Sequence, residues 1–408
     1  MSSLLKARRL ITADGVVEWP LVAVDGDGLI EGIEVGEAGA EATTLTAAFF
    51  DVHVHGAAGH DVMEGSAEAL GQVGGFLATC GVAHYLATTV TAPVERTLRA
   101  LEGIATAIEA SEPAATFAAK VAGIHLEGPF LSHAKRGVHP PGDLQQPSVA
   151  LFARMQEAAR GHIRLMTIAP EVPGALELIA FATAAGVRVS LGHSGATAAE
   201  TRAGIAAGAA SATHTFNAMR RLDHREPGIA GVVLDAEELY AELICDGVHV
   251  AQEFVRMWLR AKGEERAILV TDGISATGMP DGEYMLGGLA VTVRDGRCLL
   301  ASDLATGVET LAGSVLTMDR AVSNLQAFTG ASLATAVQLA SRNPARMLGM
   351  DGVGEIAVGR AANFNVYSAE GVLVDTILSG RRVSHRLTPR HAPFIAASVK
   401  LPWMGTRA

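Results

Sequence analysis

Short, continuous apolar runs recur along the middle of the chain and alternate with segments of helical periodicity. Continuous runs are typical of strands in a parallel sheet that is covered on both faces. The pattern predicts eight strands, at about residues 48–54, 82–90, 121–127, 163–169, 187–192, 210–215, 240–246 and 267–271. Asp51 and Asp272 are 221 positions apart over seven intervals, or about 32 residues each, close to the repeat of a (β/α)8 barrel of about 250 residues. A doubly wound open sheet would give a similar pattern.

The segments between these strands carry start and stop signals of helices. Ser148 stands as an N-cap before an apolar helical face, and Gly161 follows that face as a stop. Thr197 and Glu200 have the spacing of a capping box, and the helix that they open is expected to end near Gly208. Regular alternation of strand and helix favours an α/β fold with a parallel sheet.

Both ends of the chain instead show short strands separated by turns. Strands are predicted at 21–24 and 29–35 near the amino end, and at 363–367 and 372–378 near the other end. We therefore expect a small β-sandwich domain assembled from both termini. The predicted organisation is residues 1–47 for the first part of that domain, 48–350 for a catalytic (β/α)8 TIM barrel, and 351–408 for the second part with a C-terminal tail.

Composition and charge narrow the class of partner. The chain of 408 residues has 49 % hydrophobic residues and a net charge of −11, with no basic stripe that could neutralise phosphates, so a nucleic-acid partner is not expected. No signal peptide and no uninterrupted apolar run long enough to span a membrane are found, which predicts a soluble protein with no membrane partner. Cys80, Cys245 and Cys298 are widely spaced, which argues against a disulfide framework and favours the cytoplasm.

Side chains that can bind a metal stand where the predicted strands end, and the active sites of (β/α)8 barrels form at that end. His53 and His55 close the first strand, and residues two apart on a strand face the same side. The other members of this set are Glu127 at the third strand, His193 at the fifth, His214 at the sixth and Asp272 at the eighth.

Each of these residues alone could be structural: a histidine could make one hydrogen bond, Glu127 could pair with an arginine, and Asp272 could belong to a turn. Six together at one predicted rim favour a metal site. Imidazole with carboxylate suits Zn or Fe better than Ca or Mg. A bound metal would activate a water molecule, and Asp272 is the natural carboxylate to take its proton.

Eight segments of this chain occur in an order that resembles the N-acetylglucosamine-6-phosphate deacetylases of the amidohydrolase superfamily. They are DVHVHG (51–56), GIHLEGPFL (123–131), LGHSGAT (191–197), THTFNAM (213–219), HREPG (224–228), DGVH (246–249), VTDG (270–273) and LAGS (311–314). HxH alone is weak, but GIHLEGPF together with HxFNAM is highly specific. The resemblance covers nearly the whole chain.

The resemblance implies a reaction and a set of roles. The reaction is hydrolysis of the acetamide of N-acetylglucosamine 6-phosphate in amino-sugar catabolism and recycling, with the galactosamine epimer as the alternative, because no residue is seen to contact the C4 hydroxyl. Glu127, His193 and His214 would hold the principal metal, and Asp272 would act as general base and then as acid. Residues implied to contact the sugar phosphate and acetyl group are Val138, His139, Asn217, Ala218, Arg225, Asp246, His249, Leu311, Ala312 and Gly313. The family is commonly dimeric, so a homodimer is expected.

Some family members lack the HxH histidines and hold one metal. This chain keeps His53 and His55, which leaves room for a second ion with Glu127 as the bridge. The fourth strand ends in residues 168–171 without the lysine that bridges the metals in many other amidohydrolases. Without the motif, Arg225 could be a surface ion-pair member and Asn217 a helix cap. A barrel that has lost catalysis and serves as a sensor is disfavoured, because Asp272 and every expected ligand are present.

Overall fold

The computed structural model describes residues 3–110 and 117–383, and the predicted C-terminal tail, Arg390–Ala408, lies outside the described residues. The strands before the barrel are β1 (Ser3–Lys6), β2 (Arg9–Thr12), β3 (Gly15–Glu18), β4 (Pro20–Val24), β5 (Ile30–Val35) and β6 (Thr44–Ala47). The strands of the middle region are β7 (Phe49–Val54), β8 (Gly56–Ala57), β9 (His60–Asp61), β10 (Val82–Thr89), β11 (Lys120–Glu127), β12 (Ile163–Ile168), β13 (Arg188–Leu191), β14 (Ser211–Ala212), β15 (Tyr240–Ile244) and β16 (Ala267–Val270). The remaining strands are β17 (Gly282–Leu286), β18 (Leu289–Arg294), β19 (Arg297–Leu300), β20 (Phe364–Tyr367), β21 (Leu373–Leu378) and β22 (Arg381–Arg382).

Helices alternate with the strands of the middle region. They are α1 (Ala67–Thr79), α2 (Val94–Ala110), α3 (Val149–Ala158), α4 (Ala175–Ala184), α5 (Ala198–Ala206), α6 (Gly228–Asp235), α7 (Gln252–Arg266), α8 (Ala301–Leu304), α9 (Met318–Thr329), α10 (Leu333–Ala340) and α11 (Arg342–Met347). Two short 3-10 helices cover Val62–Glu64 and His133–Lys135. In the described ranges, no helix is both long and apolar enough to cross a membrane.

The eight parallel strands form one sheet in the order β7, β10, β11, β12, β13, β14, β15, β16. The two outer strands meet where Val54 pairs in parallel with Gly273, and the amide of His55 donates to the carbonyl of Gly273 at 2.8 Å. The sheet therefore closes, which confirms the (β/α)8 barrel and excludes the open sheet. Strand β14 is much shorter than predicted because the backbone turns at His214, where φ is 28°.

Helix caps of the barrel agree with the sequence signals. The amide of Leu151 donates to Ser148 Oγ at 3.2 Å at the start of α3, and Thr197 and Glu200 form a complete capping box at the start of α5. Gly161, which follows α3, has φ of 80°, a conformation that other residues adopt at a cost. The caps fix where each helix begins and hence where each loop at the rim starts.

Strands from both ends of the chain form two further sheets. One has six strands in the order β22, β21, β20, β6, β2, β3, and in it β20 from the C-terminal part pairs antiparallel with β6. The other has three strands in the order β1, β4, β5. Strand β6 ends at Ala47 and β7 begins at Phe49, next to the predicted boundary between residues 47 and 48. The exact domain boundaries stay predictions.

A three-stranded antiparallel insert, β17–β19, follows the barrel and was not predicted from the sequence. Its apolar residues, including Leu286 and Val291, pack with Ile274 and Ala312 in a small separate core. The amide of Ala312 donates to the carbonyl of Cys298 at 3.0 Å. The insert thus supports the loop at residues 311–314, which the resemblance implies in substrate binding.

Candidate metal centre

Glu127 lies at the centre of the predicted group of ligands. Its Oε1 is 3.2 Å from His193 Nε2 and 3.1 Å from His214 Nε2. Its Oε2 is 3.2 Å from His55 Nε2. Oε1 therefore faces a first set of imidazoles, His193 and His214, and Oε2 faces His55 of a second set, so one carboxylate contacts both sets. All of these side chains are buried.

Asp272 and His53 complete the second set. Asp272 Oδ1 lies 3.1 Å from His55 Nε2 and 3.5 Å from His53 Nε2. His53 Nε2 is also 3.4 Å from Glu127 Oε1. The ligand atoms of His53, His55 and Glu127 all lie within 4.8 Å of one another, a spacing that a metal ion could span. The structure thus brings together all six residues that the sequence placed at the rim.

The hydrogen bond that each histidine makes through Nδ1 determines its tautomer and therefore which nitrogen could bind a metal at the centre. His55 Nδ1 is 2.9 Å from the carbonyl of Thr88, and His193 Nδ1 is 3.0 Å from the carbonyl of Lys135. A carbonyl only accepts, so each Nδ1 carries a hydrogen, and in the neutral form of the ring Nε2 is the nitrogen whose lone pair a metal could bind. Backbone carbonyls in this second position are the usual means by which proteins orient metal-binding imidazoles.

His139 has the opposite tautomer. The amide of Thr91 donates to His139 Nδ1 at 3.2 Å, so this nitrogen accepts and Nε2 carries the hydrogen. Burial lowers the pKa of His139 well below 6.5, and the neighbouring His193 lowers it further, so the ring is neutral. Distance alone would group His139 with Glu127 and His193 as a metal site. The tautomer instead makes His139 an N–H donor, 3.7 Å from Glu127 Oε2.

Three residues of the centre have a left-handed backbone. The φ angles are 47° at His193, 28° at His214 and 53° at Asp272. Residues other than glycine rarely adopt this conformation, and its cost is of order 1–3 kcal/mol each. Each of the three lies two residues beyond the end of its strand, so the backbone turns at the rim where these side chains meet.

The centre contains more buried negative charge than its neighbours neutralise. In the described part of the chain, the ion pairs of Glu127, Glu242 and Asp272 are all with histidines. Burial lowers the pKa of His55, but hydrogen bonds and charge from Asp272 and Glu127 outweigh it and raise the pKa to about 9. Burial likewise raises the pKa of Asp272, but His53 and His55 bring it down to about 2. A divalent cation fits this excess of negative charge.

Two of the implied substrate segments are held firmly near the rim. Asp246 Oδ1 accepts from the amide of His249 at 2.8 Å, and its Oδ2 lies 2.6 Å from His249 Nδ1. The amide of Ser314 donates to the carbonyl of Asp272 at 2.8 Å, which ties the loop of residues 311–314 to the catalytic candidate. Gly313 has φ of 61°, and a Cβ there would lie 2.4 Å from Ile274. This position therefore requires glycine.

The other residues that the resemblance implies in substrate binding make fewer contacts with the metal centre. Asn217 Nδ2 donates to the carbonyl of His214 at 3.2 Å, so its side chain closes the turn that carries a ligand. Ala218 follows in a left-handed conformation with φ of 49°, and Val138 is half-buried against the small core of the insert. Arg225 is exposed in the loop before α6, where its amide donates to Asp223. The structure does not bring its guanidinium into the described contacts of the centre.

His125 and His133 differ in their surroundings. His125 is fully buried, with Nδ1 3.1 Å from the carbonyl of Val52 and Nε2 2.8 Å from Thr167 Oγ1. Both nitrogens are occupied, in accord with a structural role. His133 begins a 3-10 helix and is exposed.

Sequence reasoning missed two residues that contact the centre. Glu242 lies 3.2 Å from His53 Nδ1, and Thr91 fixes the tautomer of His139. The signal for Glu242 was present, because it is the one charged residue within the apolar run of β15. Thr91 had no comparable signal, since a threonine after a strand is unremarkable.

Histidines and carboxylates that converge at the carboxyl end of a parallel (β/α)8 barrel define a class of enzymes whose active site is built around a metal centre. Residues 44–383 match the amidohydrolase family. The chain belongs to the amidohydrolase family, and a divalent metal is the cofactor that this superfamily implies.

Individual relatives narrow the comparison. The chain is 38 % identical over 367 residues to N-acetylgalactosamine-6-phosphate deacetylase of Escherichia coli O157:H7, a match that covers 89 % of this chain and 94 % of the relative. It is 36 % identical over 339 residues to N-acetylglucosamine-6-phosphate deacetylase of Bacillus subtilis, covering 83 % and 84 %. These matches confirm the resemblance to the deacetylases.

Solved structures agree with the sequence matches. The N-acetyl-D-glucosamine-6-phosphate deacetylase of Mycobacterium smegmatis, in a variant bound to N-acetyl-D-glucosamine-6-phosphate, superposes with a TM-score of 0.87 at 33 % identity and covers 94 % of this chain and 99 % of that one. The Thermotoga maritima enzyme gives a TM-score of 0.84 at 32 % identity, covering 94 % and 99 %.

Proposed function

We propose that this protein hydrolyses the acetamide of N-acetylglucosamine 6-phosphate to glucosamine 6-phosphate and acetate. The observation that carries the proposal is the position of Glu127 between His193 and His214 on one side and His55 on the other, with Asp272 3.1 Å from His55. The names of the relatives support the choice of substrate. A homodimer and a cytoplasmic location stay predictions.

We assign the principal ion to Glu127, His193 and His214. A second ion would lie at His53 and His55, with Glu127 shared between the two positions. The donor set fits a borderline divalent ion such as Zn or Fe, and His53 Nε2, a buried nitrogen with no hydrogen-bond partner among the described residues, fits a ligand role. When bound, such an ion polarises the substrate carbonyl and makes a water molecule more acidic.

Asp272 is assigned the proton transfers. Its pKa of about 2 keeps it ionised at neutral pH. Its Oδ1 accepts a proton as the oxygen of water bonds to the acetyl carbon. The C–N bond then breaks, and Asp272 returns that proton to the departing amine nitrogen. Asp272 ends as a carboxylate, so the proton balance closes over the cycle.

His139 is assigned to the acetyl carbonyl. Its Nε2–H faces the centre and its ring is neutral, so it can donate to an oxygen on which negative charge develops. Thr91 holds the ring in this tautomer. Donation from a fixed, buried group acts more strongly on the developing charge than donation from water would.

The phosphate and sugar contacts rest on the rim loops. Arg225 offers a planar fork suited to phosphate. His249 Nδ1 donates to Asp246, so Nε2 can donate to phosphate in the protonated ring; burial lowers the pKa of His249, but Asp246 outweighs it and raises the pKa. The backbone N–H of Ala218 would contact the substrate, whereas the amide of Asn217 donates to the carbonyl of His214 at 3.0 Å and holds the turn. Val138 and the loop of Leu311, Ala312 and Gly313 would line the sugar and acetyl group. Arg225 is exposed, so its guanidinium would contact the phosphate from the solvent side of the barrel mouth.

N-acetylgalactosamine 6-phosphate is the second candidate substrate. The 38 % identical relative from Escherichia coli carries that activity in its name. The two sugars differ at C4 alone, and none of the assigned contacts addresses that hydroxyl. The contacts to phosphate and acetyl therefore serve both epimers.

The direct test supplies the purified, metal-loaded protein with each of the two sugar phosphates and measures free amine and acetate. We expect equimolar amine and acetate from N-acetylglucosamine 6-phosphate, and loss of this activity after treatment with a chelator. Faster release from the galactosamine epimer would transfer the assignment to the second candidate. Absence of amine from both would contradict the proposal.

A further inference from the structure

Glu242 is a carboxylate in a place where charge is costly. It lies in β15 and is fully buried, between the apolar residues Ala241 and Leu243. Its Oε2 is 3.2 Å from His53 Nδ1 and accepts from the amide of His214 at 3.3 Å. A buried carboxylate without a cation is strongly destabilising unless its partners offset the loss of water.

These contacts are few for a buried anion. Glu242 Oε1 has no hydrogen-bond partner among the described residues, and the ion-pair partner of the side chain is His53. Packing alone would be served equally well by an apolar side chain of similar volume. The carboxylate is instead directed at two residues of the metal centre, one from each set of imidazoles.

The contact to His53 has a definite chemical effect. A carboxylate at Nδ1 accepts the ring hydrogen, so in the neutral ring that binds a metal the lone pair lies on Nε2, which faces the centre. His55 and His193 are oriented by neutral backbone carbonyls, whereas His53 is oriented by a charged group. Charge at the second nitrogen makes the first a stronger donor to a metal.

We propose that Glu242 is a positioning residue that holds His53 in its ligating tautomer and strengthens the binding of the second ion. Through the amide of His214 it also fixes the backbone of a ligand of the principal ion. One carboxylate thus connects both ligand sets across the barrel interior. This inference rests on the proposed metal centre.

The test compares Zn affinity of the second ion in the unmutated protein and in Glu242→Gln, by competition with a chromophoric chelator. Glutamine keeps a carbonyl oxygen for the amide of His214 but removes the charge at His53. We expect binding about 10–100-fold weaker, the range found when such partners are lost. Glu242→Leu, an apolar replacement that buried sites often tolerate, should weaken it further and keeps the test valid if Glu242→Gln does not fold.

Two controls separate this effect from general damage. Asp375→Asn removes a buried carboxylate of the six-stranded sheet and should leave Zn affinity unchanged. In a His53→Ala background, Glu242→Gln should change the affinity of the remaining ion by less than about threefold. An equal loss with and without His53 would overturn the proposed route through His53.

The outcomes distinguish this inference from the proposed function. Unchanged affinity in a folded Glu242→Gln protein, with Zn bound by the unmutated protein, overturns the role of Glu242 alone. Absence of Zn binding by the unmutated protein overturns the metal centre and this inference together.

Discussion

His193 Nε2 and His214 Nε2 lie 3.0 Å apart, and Glu127 Oε1 lies within 3.2 Å of both. His193 Nε2 presents a lone pair, because its Nδ1 donates to the carbonyl of Lys135. Two imidazole nitrogens and a carboxylate oxygen thus converge on one point. A divalent ion bound by all three would remove the repulsion between their lone pairs.

Metal content should depend unequally on the histidines. His193→Ala or His214→Ala should abolish tight binding of the principal ion, since each removes one of three ligands. His53→Ala and His55→Ala should remove at most a second ion. The measurement is metal per chain by mass spectrometry after gel filtration, with His162→Ala, a histidine paired with Glu109 on the outer surface, as the control.

Loss of all metal in the His53 and His55 variants would move the principal site to β7. Retention of a full metal complement in both His193→Ala and His214→Ala would contradict the assignment of Glu127, His193 and His214.

Metal uptake by the second set should release protons at pH 7. The pKa of His55 is raised to about 9, and that of His53 well above 6.5, so both rings are protonated in the metal-free centre. A protonated imidazole has no lone pair for a metal. Apparent affinity should rise by about tenfold per pH unit for each displaced proton, and the contribution of His55 should level off above pH 9. Titration calorimetry in buffers of different ionisation enthalpy counts the protons.

In the metal-free protein, the contribution of these histidines to folding stability falls as the pH rises, which is opposite to the trend in metal affinity. A raised histidine pKa stabilises the fold fully below pH 6.5, and this contribution is lost as the pH rises through 9. Metal binding at pH 7 without proton release would show that His53 and His55 are neutral or are not ligands.

His139→Ala should separate a donor from a ligand. We expect unchanged metal content, because Nδ1 accepts from Thr91 and Nε2 carries a hydrogen. Turnover should fall by about 10²–10³-fold, as when one donor to a developing oxyanion is removed. Loss of the principal ion in this variant would make His139 a ligand and contradict the tautomer.

The sequence predicts the barrel and its rim because both follow from local patterns. Continuous apolar strands imply a sheet covered on both faces, and the residues at their ends must share one rim once the sheet closes. His53, Glu127 and Asp272 were therefore found without the structure. Closure itself, made by the pairing of Val54 with Gly273, depends on long-range contacts that periodicity does not report.

The features of the site that the sequence does not predict depend on contacts between residues far apart in the chain. The tautomer of His139 depends on Thr91, 48 residues away, and that of His53 on Glu242, 189 residues away. The insert β17–β19 packs in a small core with Ile274 and Ala312, contacts between segments that a local pattern does not report. The left-handed residues of two turns are His193 and Asp272 rather than the adjacent Gly192 and Gly273, so the glycines did not mark the residues that adopt this conformation.

Arg225→Ala should reduce activity on the phosphorylated sugar far more than on N-acetylglucosamine. Charge-assisted hydrogen bonds contribute about 1.5–3 kcal/mol each, which corresponds to roughly a tenfold to hundredfold loss in kcat/KM. Arg202→Ala, on the exposed face of α5, is the matched control. Equal activity of the unmutated protein on both sugars would contradict phosphate recognition.

Asp272→Asn tests the central claim, because asparagine keeps the shape but cannot take a proton. The variant should fold, retain the principal ion and bind substrate, and Asp235→Asn at the exposed end of α6 should behave as the unmutated protein.

The deciding measurement is the turnover number of metal-loaded Asp272→Asn on N-acetylglucosamine 6-phosphate. The account predicts a fall of roughly 10²–10⁴-fold or more, the range of a lost general acid–base group. Near-normal turnover in the fully metallated variant would remove Asp272 from the mechanism and contradict the account.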